Sequence, residues 1–165
     1  MRPSALRPAM PHDTLYKLAY DEAVRAMSEQ QAIVESLRSR AGVLFSAAAI
    51  TTSFLGTRAL HSADWSPFSW LALLAFVGVA TAFLAIFWPR DWEFGADPRV
   101  VIGACIESAD SASLEDLHRE LSFDMHRSYL KNCEVQEKLF VFFRISNVLF
   151  ALELMLWITA IALMT

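Results

Sequence analysis

The chain has 165 residues, 55% of them hydrophobic and 19% charged, with a formal net charge of −4. That apolar share exceeds the ~45–50% of ordinary soluble domains, so a purely soluble globular fold is a poor match. The slight acidity argues against nucleic acid as a partner, because binding it normally requires a basic face.

Residues 1–12 hold arginines and prolines but no apolar run before a small-residue cleavage site. They are expected to be disordered rather than a signal peptide. Asp13 or Thr14 can cap a juxtamembrane helix over 13–40, with Leu15, Leu18, Ala19, Ala26, Ile33, Val34 and Leu37 at helical spacing. Its acidic and basic side chains nearly balance, unlike a basic membrane-surface anchor, so packing on a partner helix is expected.

No turn signal separates that helix from 41–60, which has about the ~20 residues a span needs. Within it Gly42, Ser46, Ala49, Ser53 and Gly56 recur at steps of four, three, four and three. Such a strip of small residues lets helix backbones approach closely in lipid. Pro67 opens a second span, 67–89, where a first-turn proline loses no helical hydrogen bond. Ala75, Gly78, Ala82 and Ala85 repeat the small-residue pattern there, which predicts a tightly packed antiparallel hairpin. Trp65 and Trp70 stand at one end of this span, Trp88 and Trp92 at the other, as interfacial tryptophans do.

A polar segment, 90–139, follows. Asp97-Pro98 starts a short helix through Ile106, and Ser113 with Asp116 resembles a capping box for the next. Leu114, Leu117, Leu121, Met125 and Tyr129 form the apolar stripe of this second helix. No helix breaker then intervenes before the third span, 140–164. The expected architecture is all-α and integral to a membrane: three transmembrane helices with N-terminal and central cytoplasmic helices. Arginine and lysine crowd the segment before the first span and the one between the second and third, while the hairpin loop has Arg58 alone. Both basic segments, and with them the N-terminus, are therefore expected in the cytoplasm, and the C-terminus outside. Cys105 and Cys133 are too few and too far apart for a disulfide framework or a zinc quartet, and read as reduced cytoplasmic thiols.

The sequence carries no recognisable catalytic motif. His118 and His126 lie eight residues apart on one helix, or about 12 Å, too far to share a metal. No phosphate loop, dinucleotide fingerprint or nucleophile motif is present. The reading is therefore a non-enzyme without cofactor or metal. The polar residues inside the spans are more informative. Asn147 stands with Arg144 at the cytoplasmic entrance of the third span, and Glu153 in its middle. A carboxylate at that depth costs on the order of 3 kcal/mol. Counted from the outer ends, Glu153 lies level with Thr51, Thr52 and Ser53. It is expected to be protonated and hydrogen-bonded to one of those hydroxyls, or alternatively to line an oligomeric pore.

Several short features have a counterpart in known proteins. They are Arg38-Ser39-Arg40-Ala41-Gly42 leading into the first span, the short hairpin, Trp92-Glu93-Phe94-Gly95 after it, and the long helix through Tyr129 and Lys138. In these the chain resembles, over roughly residues 20 to 165, the Pycsar transmembrane effectors of bacterial phage defence and, in plan, the SLATT effector domains. The resemblance implies a bacterial inner-membrane homo-oligomer that impairs the membrane when a cyclic nucleotide signals it. No basic or glycine-rich pocket for such a ligand is readable in the sequence. The other class the sequence supports is a membrane-anchored scaffold whose cytoplasmic helices dock a protein. A transporter fits poorly, because three spans show no inverted repeat.

Overall fold

A computed structural model of the chain describes residues 12–60, 66–90, 92 and 113–163. Among them there are three α-helices and no strand: α1 (His12–Leu60), α2 (Pro67–Phe87) and α3 (Leu114–Ala162). The helix boundaries follow local chemistry. Ser66 caps α2 in an extended conformation (φ −71°, ψ 149°) and its hydroxyl accepts from the Ser69 amide at 3.3 Å, with Pro67 opening the first turn. At the far end the Trp88 amide donates to Leu84 at 2.8 Å. The Ser113 hydroxyl accepts from the Asp116 amide at 3.1 Å, the N-cap half of the expected box, and donates to the Asp116 carboxylate at 2.6 Å. α1 and α3 each run 49 residues, so the polar and apolar halves of both are one uninterrupted helix. The short helix expected from Asp97 to Ile106 lies outside the described residues, as does most of 1–12.

The contacts divide the chain into two units. The first contains α1 up to Gln31 and α3 up to Cys133. Its buried residues, among those described, are polar: Gln30, Ser128 and Asn132. Leu15, Leu18, Leu114 and Phe123, expected or available as apolar contacts, are exposed. Here the sequence stripe over-predicts burial, because two helices facing each other cover only the narrow seam between them.

The second unit contains α1 from Ala32, α2, and α3 from Glu134. Its interior mixes alanines with larger apolar side chains: Ala41, Ala48, Ala72, Ala75, Ala82 and Ala160 are buried, and so are Val34, Leu37, Val79, Ile86 and Leu139. Trp157 is the largest buried side chain; it packs on Ala72 with Leu55, Leu73 and Leu156 around it. Many other large apolar side chains face outward: Phe54, Leu74, Leu84, Val148, Met155 and Ile158 are all exposed. Alanine at the contacts lets helix backbones approach closely.

α2 and α3 are long and apolar enough to cross a membrane, and in their most apolar stretches only 28% and 17% of residues are buried. Soluble core helices of that hydropathy are mostly buried. The expected first span, 41–60, is not a third such helix among the described residues. Gly42, Ser46, Thr51, Thr52, Ser53 and Gly56 dilute its apolar content, so the strip that suits close packing also lowers its hydropathy.

Candidate functional site

Glu153 lies at the centre of the second unit, 0% exposed. Of the three hydroxyls at its depth, Thr52 is the partner: its Oγ1 donates to Glu153 Oε1 at 2.5 Å. Thr52 Oγ1 in turn accepts from Trp157 Nε1 at 3.4 Å. Glu153 and Trp157 stand one turn apart on the same face of α3, so a single face delivers both. On α1 the residue one turn beyond Thr52 is Gly56, buried beside the Trp157 ring. The carboxyl oxygen Oε2 has no hydrogen-bond partner among the described residues. The chain Trp157 to Thr52 to Glu153 thus ties α1 to α3 within one subunit.

Ser53 is exposed and Thr51 half-buried. Asn147 is exposed too, its Nδ2 donating to the Phe143 carbonyl at 2.8 Å on its own helix. Sequence depth therefore finds the right turn of α1, and the structure selects one residue within it.

The two small-residue strips separate. On α2, Ala75 and Ala82 are buried, Ala85 is half-buried, and a Cβ at Gly78 would come within 2.9 Å of Leu149 Cδ1. That strip faces α3. On α1, Ser46 and Ser53 are exposed, Gly42 and Ala49 half-buried, and a Cβ at Gly42 would meet nothing within 4 Å. Only Gly56 is packed. The hairpin is accordingly joined by aromatics rather than by the two strips: Phe45 stacks on Phe83 at 4.5 Å and on Phe76 at 6.2 Å. Arg90 closes the end of α2, with Nη2 donating to the Ala85 carbonyl at 3.2 Å and the guanidinium over the Phe142 ring.

In the first unit, Gln30 Nε2 donates to the Tyr129 carbonyl at 3.2 Å and to Cys133 Sγ at 3.1 Å. The hydrogen bond and charge interaction with the Cys133 thiol, more than burial or Glu29, hold the Tyr129 hydroxyl above the usual phenol pKa. Beside this contact lies an open groove of about 460 Å³, walled by Tyr16, Ala19, Ala23, Phe123, His126 and Tyr129 among others. His118 packs on Tyr20 at 5.5 Å between ring centres. Among the described residues no group of three or more His, Cys, Asp or Glu side chains could hold a metal. Gln30 and Trp157 carry no signal in the sequence: a glutamine in a charged helix reads as solvated, and a tryptophan near a span end reads as interfacial. Compared with protein-family models, with curated proteins and with solved structures, the chain matches none.

Proposed function

We propose that this chain is a three-span protein of the bacterial inner membrane, an effector of nucleotide-signalled phage defence that self-associates and impairs the membrane. In this reading 41–60, α2 and the last part of α3 cross the bilayer. The N-terminus and the segment between α2 and α3 are cytoplasmic, and the C-terminus is outside. The observation that carries the membrane assignment is the pair of long apolar stretches in α2 and α3, only 28% and 17% buried, with Leu74, Val148 and Met155 exposed on them. Self-association is supported by the strip Gly42, Ser46, Ala49 and Ser53, in which Ser46 and Ser53 are exposed, Gly42 and Ala49 half-buried, and a Cβ at Gly42 would meet nothing within 4 Å. Glu153 is turned to Thr52, which favours a packing role over a carboxylate ring lining a pore. A cyclic nucleotide as the signal comes from resemblance alone.

The test is expression of the full chain with a pyrimidine cyclase in a bacterial host, read by growth and membrane potential. Arrest with depolarisation is expected, and Gly42→Leu is expected to abolish both while the protein still resists alkaline carbonate extraction. Depolarisation unchanged by Gly42→Leu would overturn assembly through that strip. A second reading, a membrane-anchored scaffold, is favoured by the open groove at Tyr16 and Phe123. It predicts recruitment of a cytoplasmic protein with no change in membrane potential.

A further inference from the structure

A second groove, on the second unit, lies between α1 and α3. It measures about 360 Å³, and Ile33, Ser36, Leu37, Arg40, Phe140 and Phe143 line it. The walls are apolar or aromatic, apart from Ser36 and a single cation. Arg40 is exposed and, among the described residues, pairs with no carboxylate. Arg144, also exposed, directly follows Phe143.

The charges along both helices are ordered. On α1 the last charged residues before the apolar stretch are Arg38 and Arg40; on α3 they are Lys138 and Arg144. The carboxylates Glu35, Glu134 and Glu137 all come earlier, farther from the stretch. An apolar trough with an unneutralised guanidinium at its edge fits an amphiphile with an anionic head. A free inorganic anion would gain one exposed arginine and no use of the phenylalanines. A second copy meeting this face symmetrically would set Arg40 against Arg40.

We infer that this groove is a site for an anionic phospholipid of the cytoplasmic leaflet, its phosphate at Arg40 and its first methylenes on Leu37, Phe140 and Phe143. Basic pockets between spans on the cytoplasmic side recognise headgroups by this chemistry. The inference rests on the reading that α1 and α3 cross a bilayer.

Native mass spectrometry of the full chain, released from nanodiscs of equal phosphatidylglycerol and phosphatidylcholine, tests it. The wild-type protein is expected to retain phosphatidylglycerol preferentially. Arg40→Gln, at an exposed side chain, lowers that preference about fivefold, as loss of one cation at the surface does. Ile33→Glu, at a position 44% exposed, places a carboxylate in the trough and expels the lipid. Arg58→Gln, at the opposite end of the apolar stretch, leaves retention unchanged. Equal retention of both lipids, or a preference untouched by both groove variants, overturns the site while the three-span reading stands. Release of the protein by alkaline carbonate overturns both.

Discussion

On α2 the small residues are buried or half-buried; on α1 those of the same spacing run from buried Gly56 to exposed Ser46 and Ser53. Ala75 and Ala82 are buried and a Cβ at Gly78 would run into Leu149 of α3, whereas a Cβ at Gly42 would meet nothing within 4 Å, and Ser46 and Ser53 are exposed. The difference lies in how α1 is rotated. Its packed face is Ala41, Ala48 and Thr52, and at 100° per residue the strip sits roughly a third of a turn away. Glu153 is buried and needs a donor, and Thr52 supplies it only if α1 turns that residue inward. The orientation of α1 thus satisfies a polar bond at Thr52 as well as the packing of Ala41 and Ala48.

The largest effect expected from this contrast is a pair of leucine substitutions. Gly78→Leu forces a side chain into Leu149 and should destabilise the subunit by about 1–3 kcal/mol, the usual range for overpacking. Gly42→Leu sets its Cβ where no atom lies within 4 Å and should not destabilise the subunit. Unfolding of the two variants in mixed micelles, at dilutions where the wild type is monomeric, separates them. Equal losses would mean that α1 packs through its strip after all.

A smaller effect is expected at the bond from Thr52 to Glu153. Thr52→Val keeps the shape and removes the donor, and should cost about 1 kcal/mol, within the range of interhelical hydrogen bonds in membranes. Glu153→Gln retains a carbonyl oxygen for Thr52 and should cost less. If Thr52→Val proves silent and Gly42 stays accessible to cross-linkers placed beside it, some other contact turns the helix.

How much of this could be read in advance depends on whether the determinant is local. The starts of α2 and α3 were legible, because Pro67 and Ser113 with Asp116 act within one turn. The continuity of α1 and α3 followed from the lack of a breaker. Glu153 and its group of hydroxyls were found by counting residues from the ends, since rise per residue fixes depth. Depth does not fix rotation, so Thr51, Thr52 and Ser53 stayed equivalent until the structure chose among them. The same gap explains the strips: spacing defines a face, but which way it points is decided by contacts 101 residues away, as between Thr52 and Glu153. Trp157 and Gln30 were missed for a related reason. Each gains its role from a partner on another helix, and nothing beside it in the chain marks that partner.

The finest discrimination comes from adding a single methyl to each glycine. Alanine in place of a helical glycine stabilises by roughly 0.5–1 kcal/mol where the site is free, because the unfolded chain loses freedom. Gly42→Ala should show that gain in the isolated subunit, since its Cβ enters open space. At Gly78 the new Cβ would lie 2.9 Å from Leu149 Cδ1, the end of a flexible side chain that can swing aside. A displaced rotamer costs of order 0.5–1.5 kcal/mol, so Gly78→Ala should come out near zero or slightly unfavourable. The order of the two variants, rather than either value, carries the result. Gly42→Ala more stable than Gly78→Ala when monomeric, with the order narrowing or reversing as concentration rises, would place the α1 strip in a contact between copies. An order independent of concentration would leave that face to lipid.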